Sequence, residues 1–246
     1  MKAFDVEKAL KAKANKTKAQ LLSRFFKTGK GEYGEGDVFW GITVPEQRLI
    51  AKEFMSIPLE EVQKFLQSPV HECRLTALLI LTYKYENLSK KRKTLAIFDD
   101  KEVQKLKGQV FDFYIKNTKY INNWDLVDVT CHKIVGAYLY DKDRSILYRL
   151  AKSKNLWEKR IAIISTFYFI QQRDFSDSIK IAEMLLGDKH DLIHKAVGWM
   201  LREVGKKDEK LLHDFLKVHV KKMPRTALRY AIERLPEEFR RYYINM

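Results

Sequence analysis

Apolar residues recur every three or four positions along most of the chain, which is the spacing of amphipathic helices. Leu49, Ile50 and Phe54 show this rhythm in one early segment. Strict alternation of apolar and polar residues, which marks a half-buried strand, is hard to find. All five prolines lie outside residues 70–223, so helices can run through that interior without interruption. The pattern predicts an all-α protein.

Helix start signals divide the chain into short helices. Thr43 and Glu46 have the spacing of a capping box, Asp99 and Glu102 repeat it, and Pro69 and Pro236 are placed as first-turn prolines. The predicted helices cover residues 3–26, 44–56, 59–67, 70–86, 101–117, 123–140, 143–153, 156–171, 174–186, 190–204, 208–220, 224–234 and 236–244.

From residue 101 onward, pairs of predicted helices recur at roughly 30 to 35 residues, which is the period of helical solenoid repeats. We therefore expect a single domain over residues 1–246, folded as an α-α superhelix. The inner face of such an array is an extended concave groove, in which basic side chains can follow a phosphate backbone.

The net charge indicates the kind of partner. The chain has 47 Lys and Arg against 32 Asp and Glu, a net charge of +15. Nucleic acid, an anionic membrane surface or an acidic protein would each complement this charge. The longest apolar runs, TALLILTY and RIAIISTFYFI, are shorter than the roughly 20 residues that span a bilayer, so the membrane alternative is weakened first.

The N-terminus and the cysteines indicate the compartment. The first twenty residues have no continuous apolar segment and no small-residue cleavage site, so no signal peptide is predicted. Cys73 and Cys131 are widely spaced, and the neighbouring His71 and His132 do not complete a zinc pattern or a nucleophile pair. We expect two packing thiols, no metal and a protein of the reducing cytoplasm.

The segment GKGEYG at residues 29–34 matches the spacing of a dinucleotide-binding turn, which requires a preceding strand and a site that accepts phosphates. A helical segment precedes it here, and Glu32, Glu35 and Asp37 surround it. We therefore predict a connecting loop and no nucleotide site.

Three polar anomalies stand in apolar helical segments. In NNWDLVD, residues 122–128, Trp124 and Asp128 lie one helical turn apart and can face one ligand. Arg160 begins the strongly apolar run IAIISTFYFI, where a buried cation needs a carboxylate, and Asp128 is the predicted partner.

In the third anomaly, Lys195, Trp199 and Arg202 share a predicted helical face. Gly198 suggests a close approach there, because glycine costs about 1 kcal/mol in a helix. A core tryptophan, a structural ion pair and a solvated basic face are the ordinary explanations for these anomalies taken singly. Together they place aromatic planes, a carboxylate and cations within one basic chain.

The segments NNWDLVD, LWEKRIAII and AVGWMLREVG closely resemble, in this order, the signature segments of the AlkD-like DNA glycosylases. These are bacterial DNA alkylation repair proteins built from HEAT-like repeats. The segment GDVFWGITVPEQR at residues 36–48 resembles the N-terminal portion of the family. Asn123 departs from a well-known family pattern, which has a second aromatic residue before the tryptophan.

The resemblance implies a right-handed type of superhelix and a monofunctional, monomeric, nucleoid-associated glycosylase that acts on double-stranded DNA without a cofactor. Its substrates would be N3- and N7-alkylated purines, such as 3-methyladenine and 7-methylguanine. Asp128 would be the catalytic carboxylate, Arg160 its companion, and Trp124 and Trp199 the aromatic walls at the lesion. Lys195 and Arg202 would contact the DNA backbone.

Two alternatives remain open. A non-catalytic helical scaffold could use its basic groove for nucleic acid or an acidic protein, because fold alone does not decide function. A lysine-based lyase would also cut the strand, and the chain offers many lysines without a distinctive one. The basic clusters at residues 90–93 and 221–225 are either solvated faces or phosphate contacts.

Overall fold

A computed structural model describes residues 2–94 and 99–246, with side chains described for residues 2–89 and 99–246. Within these ranges the structure is helical, and the β-type pairing is limited to one parallel bridge between Val38 and Val70. The predicted all-α class is confirmed. The chain divides into two compact units, Met1–Ile134 and Val135–Met246. The single domain, the superhelix and its groove stay predictions.

The first unit is built around one helix whose first twelve residues, 71–82, are all buried. The α-helices of this unit are α1 (Ala3–Lys11), α2 (Lys16–Phe25), α3 (Val44–Glu53), α4 (Leu59–Leu66), α5 (His71–Thr94), α6 (Asp100–Lys116) and α7 (Trp124–Asp128). On α5, residues 77–81 are completely buried, because α3, α4, α6 and α7 all pack against this helix. Helix α5 therefore forms the core against which the other elements are positioned.

The second unit has a central helix of its own. Its α-helices are α8 (Ala137–Leu139), α9 (Ser145–Ala151), α10 (Leu156–Ser165), α11 (Phe167–Gln171), α12 (Ser176–Leu185), α13 (Asp191–Gly205), α14 (Glu209–His219), α15 (Arg225–Ala231) and α16 (Glu237–Ile244). Helix α13 packs against α10, α12, α14 and α15. Its buried apolar stripe and the buried half of α10 form the core of this unit.

Three long helix predictions were wrong. Residues 156–171 divide at Thr166 into α10 and α11. Residues 3–26 form two helices, because the chain turns at residues 12–15 and Asn15 caps α2 by accepting a hydrogen bond from the Lys18 amide at 2.9 Å. Residues 123–140 divide into α7, a π-helical turn at His132–Gly136 and α8. Between α7 and the π-helical turn, the Thr130 hydroxyl donates to the Leu126 carbonyl at 2.5 Å. Such a side-chain bond competes with the backbone hydrogen bonds of a helix and often bends it.

The predicted start signals were mostly correct. The Thr43 amide and hydroxyl both donate to Glu46, at 3.1 and 2.6 Å, and Asp99 caps α6 through the Lys101 amide at 3.2 Å. Pro69 and Pro236 were misplaced by a residue or two, since each lies just before its helix and not in the first turn.

The GKGEYG segment forms turns after a helix, as predicted. The Gly29 amide donates to Glu32 at 2.9 Å and the Gly31 amide donates to Glu35 at 2.8 Å. The N–H groups that would hold phosphates in a nucleotide loop are thus bonded to carboxylates of the same segment.

No helix among residues 2–94 and 99–246 is long and apolar enough to cross a membrane. The basic cluster at residues 90–93 lies outside the residues whose side chains are described.

Candidate functional site

Trp124 and Asp128 are the first and last residues of α7, a helix of a single turn. The side chain of the buried Asn123 accepts a hydrogen bond from the Trp124 amide at 2.8 Å and so begins the helix. Trp124 and Asp128 therefore lie one helical turn apart, as predicted, although the long helix predicted over residues 123–140 is absent. Both side chains are half-buried, which leaves part of each available to a ligand.

An aromatic stack supports Trp124. Its ring stacks on Phe26 with centroids 5.2 Å apart and an interplanar angle of 21°, and Phe26 stacks in turn on Phe39 at 5.2 Å. The imidazole of His71 lies against both phenyl rings, at 4.9 and 4.6 Å. Phe25 meets the Trp124 ring edge to face at 5.9 Å and is 61% exposed. The indole is thus supported by buried rings and bordered by an exposed one.

A buried cluster of charged groups lies beside this stack. His71 Nε2 is 2.8 Å from Asp125 Oδ2, and His71 Nδ1 is 3.2 Å from Asp37 Oδ2. The Arg74 guanidinium is 2.7 Å from the other oxygen of Asp37, and Asn122 donates to that oxygen at 3.1 Å. The cluster joins α7 to the start of α5 and to the segment before α3.

The cluster holds a proton on His71. Burial by itself would lower the pKa of this imidazole, but the negative charges and hydrogen bonds of Asp125 and Asp37 raise the pKa to about 9. For Asp37, burial works against ionisation, yet the bond from His71 and the charge of Arg74 leave its pKa below the ordinary value. At neutral pH the cluster therefore contains a protonated histidine.

An apolar cavity of about 530 Å³ opens beside the stack. Its lining includes Leu21, Phe25, Val44, Trp124 and Val129. No residue of α2 itself is buried, although this helix supplies a wall of the cavity. Such a space accepts apolar or planar groups and offers little to a charged one.

The C-terminal side of α7 contains groups that stay uncharged. Tyr114 is fully buried and its hydroxyl is 3.1 Å from the Thr130 hydroxyl. Burial, with a smaller contribution from the negative charge of Asp128, raises the pKa of Tyr114 well above its ordinary value. Burial lowers the pKa of His132 to about 4. Near Asp128, both the phenol and this imidazole are therefore neutral at pH 7.

The two thiols are buried, as predicted for packing groups. Cys73 is 1% exposed and burial raises its pKa to about 12, while Cys131 is completely buried. Over the described parts of the chain, no group of three or more His, Cys, Asp or Glu side chains has an arrangement that could hold a metal ion.

In the second unit, Arg160 is 5% exposed on α10. Asn155 begins this helix by accepting a hydrogen bond from the Trp157 amide at 2.8 Å. The Arg160 guanidinium donates to the carbonyl of Leu192 on α13. The predicted burial of this cation is confirmed, whereas its pairing with Asp128 stays a prediction.

Helix α13 places the other predicted residues on one continuous helix. Trp199 is half-buried and its ring lies 5.9 Å from that of Phe167. Gly198 faces α15, and a Cβ atom there would lie 2.4 Å from the Ala227 carbonyl oxygen and 2.5 Å from Tyr230 Cβ. The close approach that this glycine suggested is that of another helix in the same unit.

Lys195 and Arg202 flank Trp199, and each has a carboxylate partner. Lys195 pairs with Asp191 at 2.8 Å, one turn earlier on the same helix, and is half-buried. Arg202 pairs with Glu233 and lies 3.4 Å from Glu203. A phosphate that binds either cation would replace these carboxylates.

Sequence reasoning missed Phe25, Phe26 and His71. A signal was available for the first two, because residues 8–31 contain eight Lys and Arg and no Asp or Glu, with the pair of phenylalanines in their midst. His71 gave no local signal, since its partners Asp37 and Asp125 are 34 and 54 positions away.

The family model described as DNA alkylation repair enzyme matches residues 6–235. The chain belongs to this family. The family is one of enzymes that act in DNA alkylation repair, so the resemblance of NNWDLVD and the later segments is confirmed at this level. No curated protein matches the chain by sequence.

Two solved structures share the fold of this chain. A predicted DNA alkylation repair enzyme from Enterococcus faecalis superposes with a TM-score of 0.65 and 19% identity, over 92% of this chain and 98% of the other. AlkD2 from Streptococcus mutans superposes with a TM-score of 0.51 and 20% identity, over 89% and 98%. At these identities the likeness establishes the helical fold.

Proposed function

We propose that this family member is a DNA glycosylase of base excision repair. Its substrates would be positively charged N3- and N7-alkylated purines in double-stranded DNA, such as 3-methyladenine and 7-methylguanine. The observation that carries the proposal is that half-buried Trp124 and Asp128 lie on the same single helical turn. Buried rings support the Trp124 indole from below, and the exposed Phe25 ring lies at its edge.

The chemistry follows from the charge of the lesion. When the bond between C1′ and the base nitrogen breaks, its electron pair leaves with the base and neutralises the positive charge of the alkylpurine. The base needs no general acid, and the reaction requires no metal or cofactor. The deoxyribose becomes an oxocarbenium-like cation, which a nearby carboxylate stabilises.

Asp128 has this role in the proposal. Its carboxylate stabilises the sugar cation and orients the water whose oxygen attacks C1′, and the proton of that water leaves to the carboxylate or to solvent. The neighbouring His132 is neutral, so it does not compete as a cation for this negative charge, and the un-ionised Tyr114 adds no second negative charge beside it.

The aromatic residues suit a cationic substrate. The faces of Trp124 and Trp199 would accommodate both the alkylated base and the sugar cation, each contact contributing about 0.5 to 2 kcal/mol. Phe25 adds an exposed ring at the edge of Trp124. The buried stack under Trp124 keeps the indole in place and so reduces the ordering entropy that binding would cost.

The cations supply affinity for the DNA backbone. Arg160 is proposed to hold the phosphate that flanks the lesion and to keep Asp128 ionised, and Lys195 and Arg202 to bind further phosphates. The acid-free run of residues 8–31 extends the basic surface of the first unit. Backbone contacts of this kind do not depend on base sequence, so selectivity would come from the weak glycosidic bond of the lesion.

The experiment is single-turnover release of free 3-methyladenine and 7-methylguanine from methylated DNA, measured for wild type, Asp128→Asn and the control Asp141→Asn. Asp141 is an exposed residue of the second unit. We expect release to be lost in Asp128→Asn, with DNA affinity and the control unchanged. Full release by Asp128→Asn would overturn the mechanism.

Two other outcomes identify the alternatives. DNA binding by wild type without base release would leave a non-catalytic helical scaffold, for which the charge of +15 is sufficient. A covalent protein–DNA adduct trapped by borohydride would indicate a lysine lyase, and its absence would support a monofunctional enzyme. A monomer is expected by sedimentation.

A further inference from the structure

The buried cluster around His71 is not used by the proposed chemistry. His71 is 1% exposed and Asp125 is 6% exposed, and the His71 ring lies against the phenyl rings of the stack that carries Trp124. Charged groups at such depth are costly unless they are paired and hydrogen-bonded, so the fold must keep these pairs together.

The cluster is electrically balanced by the proton on His71. Two anions, Asp37 and Asp125, face two cations, protonated His71 and Arg74. Glu72, also buried, is held separately, since its carboxylate accepts hydrogen bonds from the amides of residues 40–42 at 2.8 to 3.2 Å. Loss of the His71 proton would leave Asp125 without a counter-charge.

Helix α7 depends on such a tether. A five-residue helix has too few internal hydrogen bonds to persist on its own. Asp125 lies in its first turn and is fixed from two directions: Oδ1 accepts the Leu126 amide at 2.9 Å and Oδ2 meets His71. Asn122, just before the helix, is bonded to Asp37. The contacts of Asp125 and Asn122, at the N-terminal end of α7, are therefore both made with the buried cluster.

The ring of His71 also contacts the support of Trp124. Phe26 lies between the imidazole and the indole, in contact with both. A protonated imidazole is attracted to the faces of flanking phenyl rings. The same histidine thus positions α7 through Asp125 and the indole through Phe26.

We propose that His71 is a positioning residue: by sharing its protons with Asp37 and Asp125, it fixes the direction in which α7 presents Trp124 and Asp128 to the lesion. This inference rests on the proposed function for those two residues. The charged groups that face the imidazole are Asp125 from α7, Arg74 from α5 and Asp37 from the segment before α3, while Glu72 of α5 is bonded to backbone amides. The pKa of about 9 for His71 agrees with a proton that is retained through neutral pH.

The test compares His71→Gln with the control His219→Gln, a half-buried histidine of the second unit that lies 3.9 Å from Glu183. We expect kcat for base release at pH 7 to fall by about a hundredfold in His71→Gln, as for a small misplacement of catalytic groups, while KM and DNA affinity stay unchanged. The control should keep the wild-type kcat. A folded His71→Gln variant with wild-type kcat would overturn the proposal.

A second variant separates positioning from folding. In His71→Gln/Asp125→Asn the remaining Asp37 and Arg74 are balanced, so thermal stability should return toward wild type while kcat stays low. Recovery of kcat together with stability would show that His71 acts through stability alone and would contradict positioning.

An NMR titration tests the inference without any activity. In wild type, the indole N–H resonance of Trp124 should shift as His71 loses its proton near pH 9, and the shift should vanish in His71→Gln. An unchanged Trp124 resonance would overturn the inference. Absence of base release by wild type, with this shift present, would instead refute the proposed glycosylase and leave the coupling of His71 to α7 intact.

Discussion

Trp124 stacks on Phe26, with ring centroids 5.2 Å apart, and these two rings connect the candidate lesion surface to the core of the first unit. Phe26 is 7% exposed, whereas its chain neighbour Phe25 is 61% exposed. Phe26 therefore packs beneath the Trp124 indole, whereas Phe25 lies at the surface. This difference can be measured.

Phe26→Ala should lower the free energy of unfolding by about 3 kcal/mol or more, because it removes a buried ring from between Trp124, Phe39 and His71. Phe25→Ala should change it by only about 0.5 kcal/mol, as expected at an exposed position. Urea unfolding checks both values. Base release should fall in both variants. Wild-type release by Phe25→Ala would exclude Phe25 from the lesion surface.

Raising the pH should destabilise the protein through His71. The folded protein holds this proton up to about pH 9, whereas an unfolded histidine releases it near pH 6.5. The folded state therefore binds more protons between these values, and the free energy of unfolding should fall there by roughly 1 kcal/mol per pH unit. Urea unfolding from pH 6 to pH 10 measures the slope, which should be absent in His71→Gln.

Lowering the pH should destabilise the protein through His132. Burial lowers the pKa of this imidazole to about 4, so the unfolded chain takes up a proton near pH 6.5 that the folded protein refuses. The contribution of His132 is present above pH 6.5 and is lost as the pH falls toward 4. In His132→Gln, the free energy of unfolding should fall less steeply between pH 6.5 and pH 4, as measured by urea unfolding. The same fall as in wild type would show that other groups cause the acid destabilisation.

Gly198→Ala should be destabilising although alanine favours helices by about 1 kcal/mol. The new Cβ would meet backbone and side-chain atoms of α15 at 2.4 and 2.5 Å, so the helices must separate, with a cost of about 1 to 3 kcal/mol. Gly187→Ala is the control, since nothing lies within 4 Å of its Cβ position. Equal unfolding midpoints for the two variants would contradict the tight packing.

Lys195→Gln should weaken DNA binding and lower the slope of log Kd against log salt by about 1, as for one lost phosphate contact. Lys210→Gln is a matched control, because Lys210 pairs with Asp214 four residues later at 2.7 Å, much as Lys195 pairs with Asp191. Fluorescence anisotropy at several salt concentrations measures both slopes. The same slope in the two variants would exclude Lys195 from the DNA contact.

Much of the local architecture could be predicted from the sequence. The three-and-four rhythm indicated helices because a buried stripe must recur at the helical period, and Thr43, Glu46 and Asp99 marked starts because caps satisfy nearby amides. Trp124 and Asp128 were correctly placed one turn apart, since that spacing is a property of the backbone alone. The break after Asp128 escaped prediction, because the bond from the Thr130 hydroxyl to the Leu126 carbonyl, which favours a bend there, leaves no signal in the apolar spacing.

By itself, the sequence determined the helical class, the basic charge and the placement of Trp124 and Asp128 on one helical turn. The class and the placement depend only on residues that are close in the chain, and the charge depends only on composition. Only the tertiary structure decided what supports that turn. His71 meets Asp37 and Asp125 across 34 and 54 positions, and Phe26 reaches Trp124 across almost a hundred. Contacts between distant segments arise from the packing of helices around α5, and no local pattern of charge or hydrophobicity specifies them.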